Sequence, residues 1–342
     1  MTSVEQSAPG ALMAAEVAEQ PGVLARLLRE GAGEIAGVAD VLRARAPRFV
    51  LFAARGTSDH AALYAKYLVE IGWGLPAGLV SPSTTTVYRA DQDLRDVLFV
   101  AVSQSGGSPD LVDSLAAARR AGAATVAVTN NPSSALAAAA EWHVDVRAGA
   151  ERAVAATKTY TAELLALYLL LGGPDATTAA AALPDAAAAT LATGAGAAAA
   201  ARYRFAERLV TTARGYSYAT AREAALKLME TSYLAAQAFS GADLLHGPLA
   251  MVSVDVPVLA VETGGRGGAA LQPVLDRLAA LHADVLRIGP PDGVPVVADG
   301  VPEELLPVLE ILPLQQLAWR LALDRGGDPD RPRGLSKVTE TH

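Results

Sequence analysis

Three strand-like segments recur in this chain at one fixed offset, and that recurrence leaves few architectures open. Phe49-Val50-Leu51-Phe52-Ala53-Ala54-Arg55-Gly56 reads as a buried strand running into a glycine turn. Arg208-Leu209-Val210-Thr211-Thr212-Ala213-Arg214-Gly215 does the same 159 residues later. Val97 to Val102 runs into Ser103-Gln104-Ser105-Gly106-Gly107, and at the same offset Val256 to Val261 runs into Glu262-Thr263-Gly264-Gly265-Arg266. Thr125 to Thr129 is echoed in turn by Asp284 to Ile288. Apolar strands resemble one another in composition, but composition does not produce a constant spacing; duplication does. Helical patterns lie between the strands, for example Asp110 to Ala121 and Ala221 to Ala236. Continuous apolar strands that alternate with helices form parallel sheets covered on both faces. The expected fold class is therefore α/β, with two tandem doubly wound domains whose ligands sit beyond the carboxyl ends of the strands.

The 342 residues suit two such domains, and at 51% apolar types each has the material for a full core. We expect N-terminal helices (two short ones) over residues 1–46, a first domain over 47–175 and an alanine-rich linker helix over 176–201. A second domain over 202–327 and a polar, proline-containing tail over 328–342 complete the chain. A mean hydropathy of +0.27 raises the question of a membrane. The longest unbroken apolar run, Leu164 to Leu171, is far shorter than the ~20 residues of a spanning helix. A net charge of −8 argues against a nucleic-acid or anionic-membrane surface. The absence of cysteine excludes disulfides, thiolate metal sites and a cysteine nucleophile. Met1-Thr2-Ser3-Val4-Glu5-Gln6 shows no signal peptide, so a soluble cytoplasmic protein is expected.

Loop chemistry singles out one strand end. Ser103-Gln104-Ser105-Gly106-Gly107-Ser108-Pro109-Asp110 places hydroxyls, an amide and two glycines between a strand and a helix. Ser108 suits an N-cap and Pro109 the first helical position. First-turn N–H groups plus hydroxyls make a neutral phosphate cradle, and without Gly-x-x-x-x-Gly-Lys it is not a nucleoside-triphosphate loop. Thr57-Ser58 ends the neighbouring strand and would face the same crevice. Gly265-Arg266-Gly267-Gly268-Ala269-Ala270 fits a dinucleotide pattern. Its acidic partner Asp284, however, would start a strand on the wrong edge of the sheet. We read this loop as a degenerate copy of the phosphate loop.

The second half carries the titratable groups. In Glu223-Ala224-Ala225-Leu226-Lys227-Leu228-Met229-Glu230, helical spacing puts Glu223, Lys227 and Glu230 on one face. Such charges often form a surface ion pair. An apolar flank instead makes a carboxylate a candidate base. His246 stands in Gly241-Ala242-Asp243-Leu244-Leu245-His246-Gly247-Pro248-Leu249, positioned by Gly-Pro. The five histidines are scattered without paired spacing, so no metal site is expected.

Cradle, carboxylate, lysine and histidine together point to proton transfer on a phosphorylated sugar. The chain resembles the sugar isomerase (SIS) domain proteins, specifically the isomerase half of glutamine–fructose-6-phosphate transaminase and its stand-alone relatives. The resemblance runs from about Pro47 to the C-terminus. It is carried by Arg-Gly-Thr-Ser at 55–58, Ser-Gln-Ser-Gly at 103–106, Val-Ala-Ala-Thr-Lys at 154–158 and Glu-Ala-Ala-Leu-Lys-Leu-Met-Glu at 223–230. His-Gly-Pro-Leu-Ala at 246–250 and Pro-Arg-Gly-Leu-Ser-Lys at 332–337 complete it. It implies a flavodoxin-like SIS fold in each half. It also implies a sugar-phosphate cradle of Thr57, Ser58, Ser103, Gln104, Ser105 and Ser108, with Val154 as a backbone sugar contact. Glu230 resembles the base moving a proton between C1 and C2, and Lys227 the stabiliser of enolate charge. Lys337 resembles the tail lysine at the open-chain carbonyl. His246 resembles the ring-opening histidine that reaches a neighbouring subunit, so a homodimer is expected. No cofactor is implied.

Departures narrow the reading. The transaminase cuts glutamine with a terminal cysteine, which this chain lacks, and only about 45 residues precede the first strand. The loop reads Ser-Gly-Gly-Ser-Pro-Asp at 105–110 instead of Ser-Gly-Glu-Thr, and Ala156 replaces a common serine. Both changes resemble stand-alone members, several of which are aminosugar-phosphate deaminases. The expected function is glutamine-independent conversion of glucosamine 6-phosphate to fructose 6-phosphate and ammonia. The alternatives are a dehydratase acting on the N-acetylated substrate, another phosphosugar isomerase or deglycase, and a non-enzymatic sugar-phosphate sensor. A sensor should have lost Glu230 or Lys337, and neither is lost.

Overall fold

In the computed structural model, which describes residues 8–337, the chain forms two five-stranded sheets joined by a helical layer. The first half opens with helices α1 (Ala11–Ala18), α2 (Gln20–Glu30) and α3 (Ala32–Ala44). It continues through β1 (Phe49–Ala53), α4 (Gly56–Leu68), β2 (Ala77–Leu79), α5 (Ser83–Thr86) and β3 (Val97–Ser103). Then come α6 (Pro109–Arg120), β4 (Ala124–Thr129), α7 (Ala135–Ala139), β5 (Trp142–Asp145) and α8 (Lys158–Leu171). A connection of α9 (Ala176–Ala179), α10 (Leu183–Ala192) and α11 (Ala195–Ala199) follows. The second half runs β6 (Arg208–Ala213), α12 (Tyr218–Ser232), β7 (Ala235–Ser240), α13 (Gly241–Leu245), β8 (Val258–Val261) and α14 (Gly265–Ala269). It ends with α15 (Gln272–Ala280), β9 (Val285–Gly289), β10 (Val294–Pro295) and α16 (Leu306–Asp324).

Both sheets are wholly parallel. The first has the order β2-β1-β3-β4-β5 and the second β10-β9-β8-β6-β7, which is the same winding read from the opposite edge. This is the doubly wound α/β duplication that the repeat predicts. The order reverses between β1 and β3 in one half and between β6 and β8 in the other, and such a switch point opens a crevice at the carboxyl strand ends. The loops holding Thr57-Ser58 and Ser103–Ser108 are therefore neighbours by topology.

Three details differ from expectation. The N-terminal region forms three helices, not two. The alanine-rich connection is broken into short helices, since Gly194 adopts a left-handed φ of 60° between α10 and α11. The expected helix Ala221 to Ala236 stops at Ser232: Tyr233 turns left-handed (φ 58°), and residues 235–240 leave as β7. The N–H of Tyr233 closes the helix on the carbonyls of Leu228 and Met229. Beta propensity is weak in Ala235-Ala236-Gln237-Ala238, and pairing along β6 decides the conformation.

All residues of α8 are buried. From Leu164 on it is apolar all round, as a helix inside a molecule is, with Lys158 and Glu163 as its buried charge-bearing residues, and it packs against α2, α3 and α4. Alanines in α4 and α12 let these two helices approach across the halves. That contact delivers side chains of the second half to the crevice of the first. Among the described residues no helix is long and apolar enough to cross a membrane.

Candidate active site

A cavity of about 360 Å³ opens at the switch point of the first sheet. Thr57 and Ser58 enter it from the first turn of α4, and Ser103, Gln104, Ser105 and Ser108 from the loop between β3 and α6. Val154 and Ala156 line another wall, Glu230 comes from α12, and Lys337 from the tail. Every cradle residue named from the sequence lies here, together with Glu230, Lys337 and Val154. His246 does not: it is exposed at the end of α13, away from this lining.

Local geometry explains the cradle. Ser103 Oγ accepts from Gly106 N–H (3.2 Å) and Ser105 Oγ from Gly107 N–H (3.3 Å), which curls the loop. Gly106 sits at φ 63°, where a Cβ would fall 2.3 Å from Ser134 Oγ, so the turn admits only glycine. Ser108 takes the N-cap position, yet its side chain makes no capping bond; its hydroxyl stays with the cavity instead. Pro109 follows at the first helical position. Helix starts offer free N–H groups, and α4 and α6 both begin at this end of the sheet. In α6 Pro109 has no N–H and the Leu111 N–H is taken by Ser108 O (3.2 Å), so α4 supplies most of them. Arg55 adds positive charge at the wall, tied to the buried Asp110 at 2.7 Å.

Behind Glu230 lies a chain of charges shared by both halves. Lys227 Nζ pairs with Glu230 Oε2 at 2.6 Å and with Glu223 Oε1 at 3.3 Å. It also donates to Thr57 Oγ1 (3.0 Å), which in turn donates to Glu223 Oε1 (3.0 Å). The hydroxyl hydrogen of Thr57 is thus spent on Glu223, and what Thr57 offers an anion is its backbone N–H. Glu223 Oε2 meets His60 Nδ1 at 2.7 Å. Lys227 and Glu223 are 1% and 0% exposed, which rules out a surface ion pair, while Glu230 keeps 21% of its side chain accessible.

Burial works against both buried charges. For Glu223 desolvation pushes the carboxyl up, but Lys227, His60 and Thr57 outweigh it and hold it below its ordinary value. For Lys227 desolvation pushes down, and the two carboxylates reverse that and hold the ammonium well above its ordinary value. Glu223 and Lys227 are thus held as a buried ion pair, and that fixed cation positions Glu230 at the wet end.

The tail is ordered by contacts that leave no mark in a sequence. Asp330 accepts from the N–H groups of Leu12 (2.9 Å) and Met13 (2.8 Å) at the start of α1. Its own carbonyl accepts from Val154 N–H (3.4 Å). Arg333 lies over the Tyr233 ring at 4.2 Å, and its N–H donates to the Tyr233 hydroxyl. Lys337 Nζ then reaches Ala153 O (2.7 Å) and Glu151 Oε2 (3.2 Å). Tail residues 338–342 lie outside the described residues.

Sequence reasoning missed His60, Glu151 and Glu163, all buried around the site. Glu163 Oε1 lies 2.9 Å from Ser58 Oγ. Its only sequence signal is a lone acid just before the longest apolar run. In the second half the echo of the cradle is closed: Glu303 Oε1 accepts from Gly267 N–H (2.8 Å), so a carboxylate stands where the first half offers hydroxyls. Asp284 precedes β9 and pairs with Arg202, consistent with its exclusion from a nucleotide site.

Comparison with known proteins identifies the family and the fold. The family model described as "SIS domain" matches residues 45–172 and 203–297. Glutamine–fructose-6-phosphate aminotransferase (isomerizing) of Gloeobacter violaceus is 33% identical over 95% of this chain and 58% of its own length. The enzyme of that name from Symbiobacterium thermophilum is 36% identical over 86% and 52%. The chain thus spans about half the length of these curated relatives. A solved structure from Silicibacter pomeroyi DSS-3, provisionally named a phosphosugar isomerase, superposes with a TM-score of 0.83 at 36% identity. It covers 93% of this chain and 99% of its own. Glucosamine-6-phosphate deaminase of Thermotoga maritima shares the fold at 20% identity, with a TM-score of 0.80 over 97% of this chain and all of its own. With matched segments in both halves and relatives aligned along nearly the whole chain, the protein belongs to the SIS domain family.

Proposed function

We propose that the protein is a cytoplasmic, glutamine-independent aminosugar-phosphate deaminase/isomerase that converts glucosamine 6-phosphate to fructose 6-phosphate and ammonia. One observation carries this reading: a single cavity joins an anion cradle to a carboxylate fixed by a buried lysine, with a second lysine opposite. The phosphate would occupy the loop after β3 and the first turn of α4. The open-chain sugar would extend towards Glu230, whose carboxylate takes the C2 proton and returns it to C1. That transfer converts the C2 amine to an imine; water adds, ammonia leaves, and the ketose results. Lys227 lies behind Glu230, outside the cavity lining and with its ammonium on Glu230, Glu223 and Thr57, so it would stabilise the enolate charge through Glu230 and not by contact. Lys337, held at the cavity by Ala153 O, would stabilise the carbonyl oxygen. His246, exposed and remote in its own chain, suits ring opening in the partner of a homodimer.

The test incubates the protein with glucosamine 6-phosphate and with its N-acetyl form, following ammonia and sugar products together. Ammonia with fructose 6-phosphate from the free amine is the expected result. A dehydrated sugar from the acetylated substrate without ammonia would make the protein a lyase. Replacing Glu230 with Gln should lower turnover by about 10²–10⁴-fold while sugar-phosphate affinity changes little. Full activity in that variant would end the Glu230 mechanism.

A further inference from the structure

We infer that Glu163 is held as a neutral carboxylic acid and donates its proton to Ser58, leaving the hydrogen of the Ser58 hydroxyl free to bind a phosphate oxygen. This rests on the phosphosugar reading above and assigns a positioning residue to that cavity. Glu163 is 1% exposed within α8, does not line the cavity, and touches it only through Ser58. Its Oε2 is buried with no hydrogen-bond partner among the described residues. A carboxylate with one oxygen bare in such a place would forfeit its hydration without return. A carboxylic acid loses less: the proton sits on Oε1, 2.9 Å from Ser58 Oγ, and Oε2 is an uncharged carbonyl whose lack of a partner costs less than that of a charged oxygen.

The surrounding charges favour the same state. Ser58 faces Glu163 from α4, Glu151 from the loop after β5, Glu223 from α12 and Lys337 from the tail, while Tyr160 shares its helix. Glu151 and Glu223 oppose a third negative charge. Lys337, the one cation of the set, is already engaged by Glu151 at 3.2 Å. Burial is the largest influence and holds the carboxyl well above its ordinary range, with the Ser58 bond opposing.

The consequence is directional. A serine hydroxyl has one hydrogen. If Glu163 were ionised, Ser58 would spend that hydrogen on it and present only lone pairs to an incoming phosphate. With Glu163 protonated, Ser58 accepts from behind and donates into the cavity. The cradle thereby gains a donor without gaining a charge.

The experiment compares wild type with Glu163→Gln by infrared difference spectroscopy at neutral pH and by calorimetric binding of glucosamine 6-phosphate and of inorganic phosphate. We expect a protonated-carboxyl C=O stretch in the free wild-type protein that is missing in E163Q and shifts when phosphate binds. The glutamine amide also donates to Ser58, so E163Q should bind phosphate within about threefold of wild type, whereas Glu163→Leu should lose about tenfold. Identical spectra of wild type and E163Q in that region, or a band unmoved by bound phosphate, would overturn the inference. The infrared comparison needs no ligand and does not depend on the leucine variant folding. A wild type that binds neither probe would instead overturn the phosphosugar reading, while the free-protein band still reports the state of Glu163.

Discussion

The Lys227 ammonium holds three polar groups, Glu223, Glu230 and Thr57, and removing it shows what each residue there depends on. Without its ammonium, Glu223 would be a fully buried carboxylate facing only Thr57 and His60, and Glu230 would lose the cation that fixes it. Breaking a buried pair from one side leaves an uncompensated charge, so Lys227→Ala should cost about 3–5 kcal/mol at neutral pH. The sign of its pH dependence follows from Glu223. In the wild type the carboxyl is held below its ordinary value, so its contribution is present above the unfolded pKa and is lost as pH falls through the folded one. In the variant burial prevails and raises that carboxyl, so the folded state takes up a proton that the unfolded state has released. Stability then falls as pH rises, and the deficit against wild type should shrink on acidification. Urea midpoints of both proteins across the acid range would check this; a deficit independent of pH would mean that Glu223 is not the charge left unpaired.

Elements hold the site through contacts distant in sequence, and here the legibility of the chain runs out. The helix face of Glu223, Lys227 and Glu230 could be read because its spacing is local. The cradle could be read because its hydroxyls are contiguous. Lys337 could be named only through the family resemblance, since a polar tail acquires a place only when α1 is present to receive Asp330, 318 residues along from Leu12. Glu163 and His60 are silent, because their partners Ser58 and Glu223 arrive from other elements. The same logic identifies the tail clasp as an element-scale device. Asp330 caps α1 with its carboxylate and accepts from Val154 with its carbonyl, so it joins the N-terminal helix, the Val154 loop and the segment carrying Lys337. Asp330→Ala should cost about 2–3 kcal/mol through the two charge-assisted bonds to Leu12 and Met13. It should also expose residues 331–337 to limited proteolysis at a protease level that spares wild type. Retained protection with lowered stability would place Asp330 in the helix cap alone.

At the scale of the molecule, duplication supplied two crevices, and only the first keeps a loop rich in hydroxyls. The two sheets wind identically, so each has a switch point and a loop beyond its central strand. In the first half that loop reads Ser103-Gln104-Ser105-Gly106-Gly107-Ser108; at the same offset the second reads Glu262-Thr263-Gly264-Gly265-Arg266-Gly267. The hydroxyls of Ser105 and Ser108 have become glycines. Glu303 fills the space freed at the second of these: a Cβ on Gly267 would lie 3.4 Å from its Oε1, which takes the Gly267 N–H. A fixed carboxylate there repels the dianion that the first loop would attract, in surroundings that screen it less than water does. The second half has meanwhile become the donor of α12, whose acid–base face points across the α4 contact into the first crevice. Each half thus holds part of one site, and the duplicated chain should bind one phosphosugar, not two. Calorimetric titration with glucosamine 6-phosphate should give one site per chain. The double change Ser103→Ala and Ser105→Ala should remove that binding and leave no residual second site. A stoichiometry of two, or binding that survives in the double variant, would mean that the Glu303 crevice accepts phosphate after all.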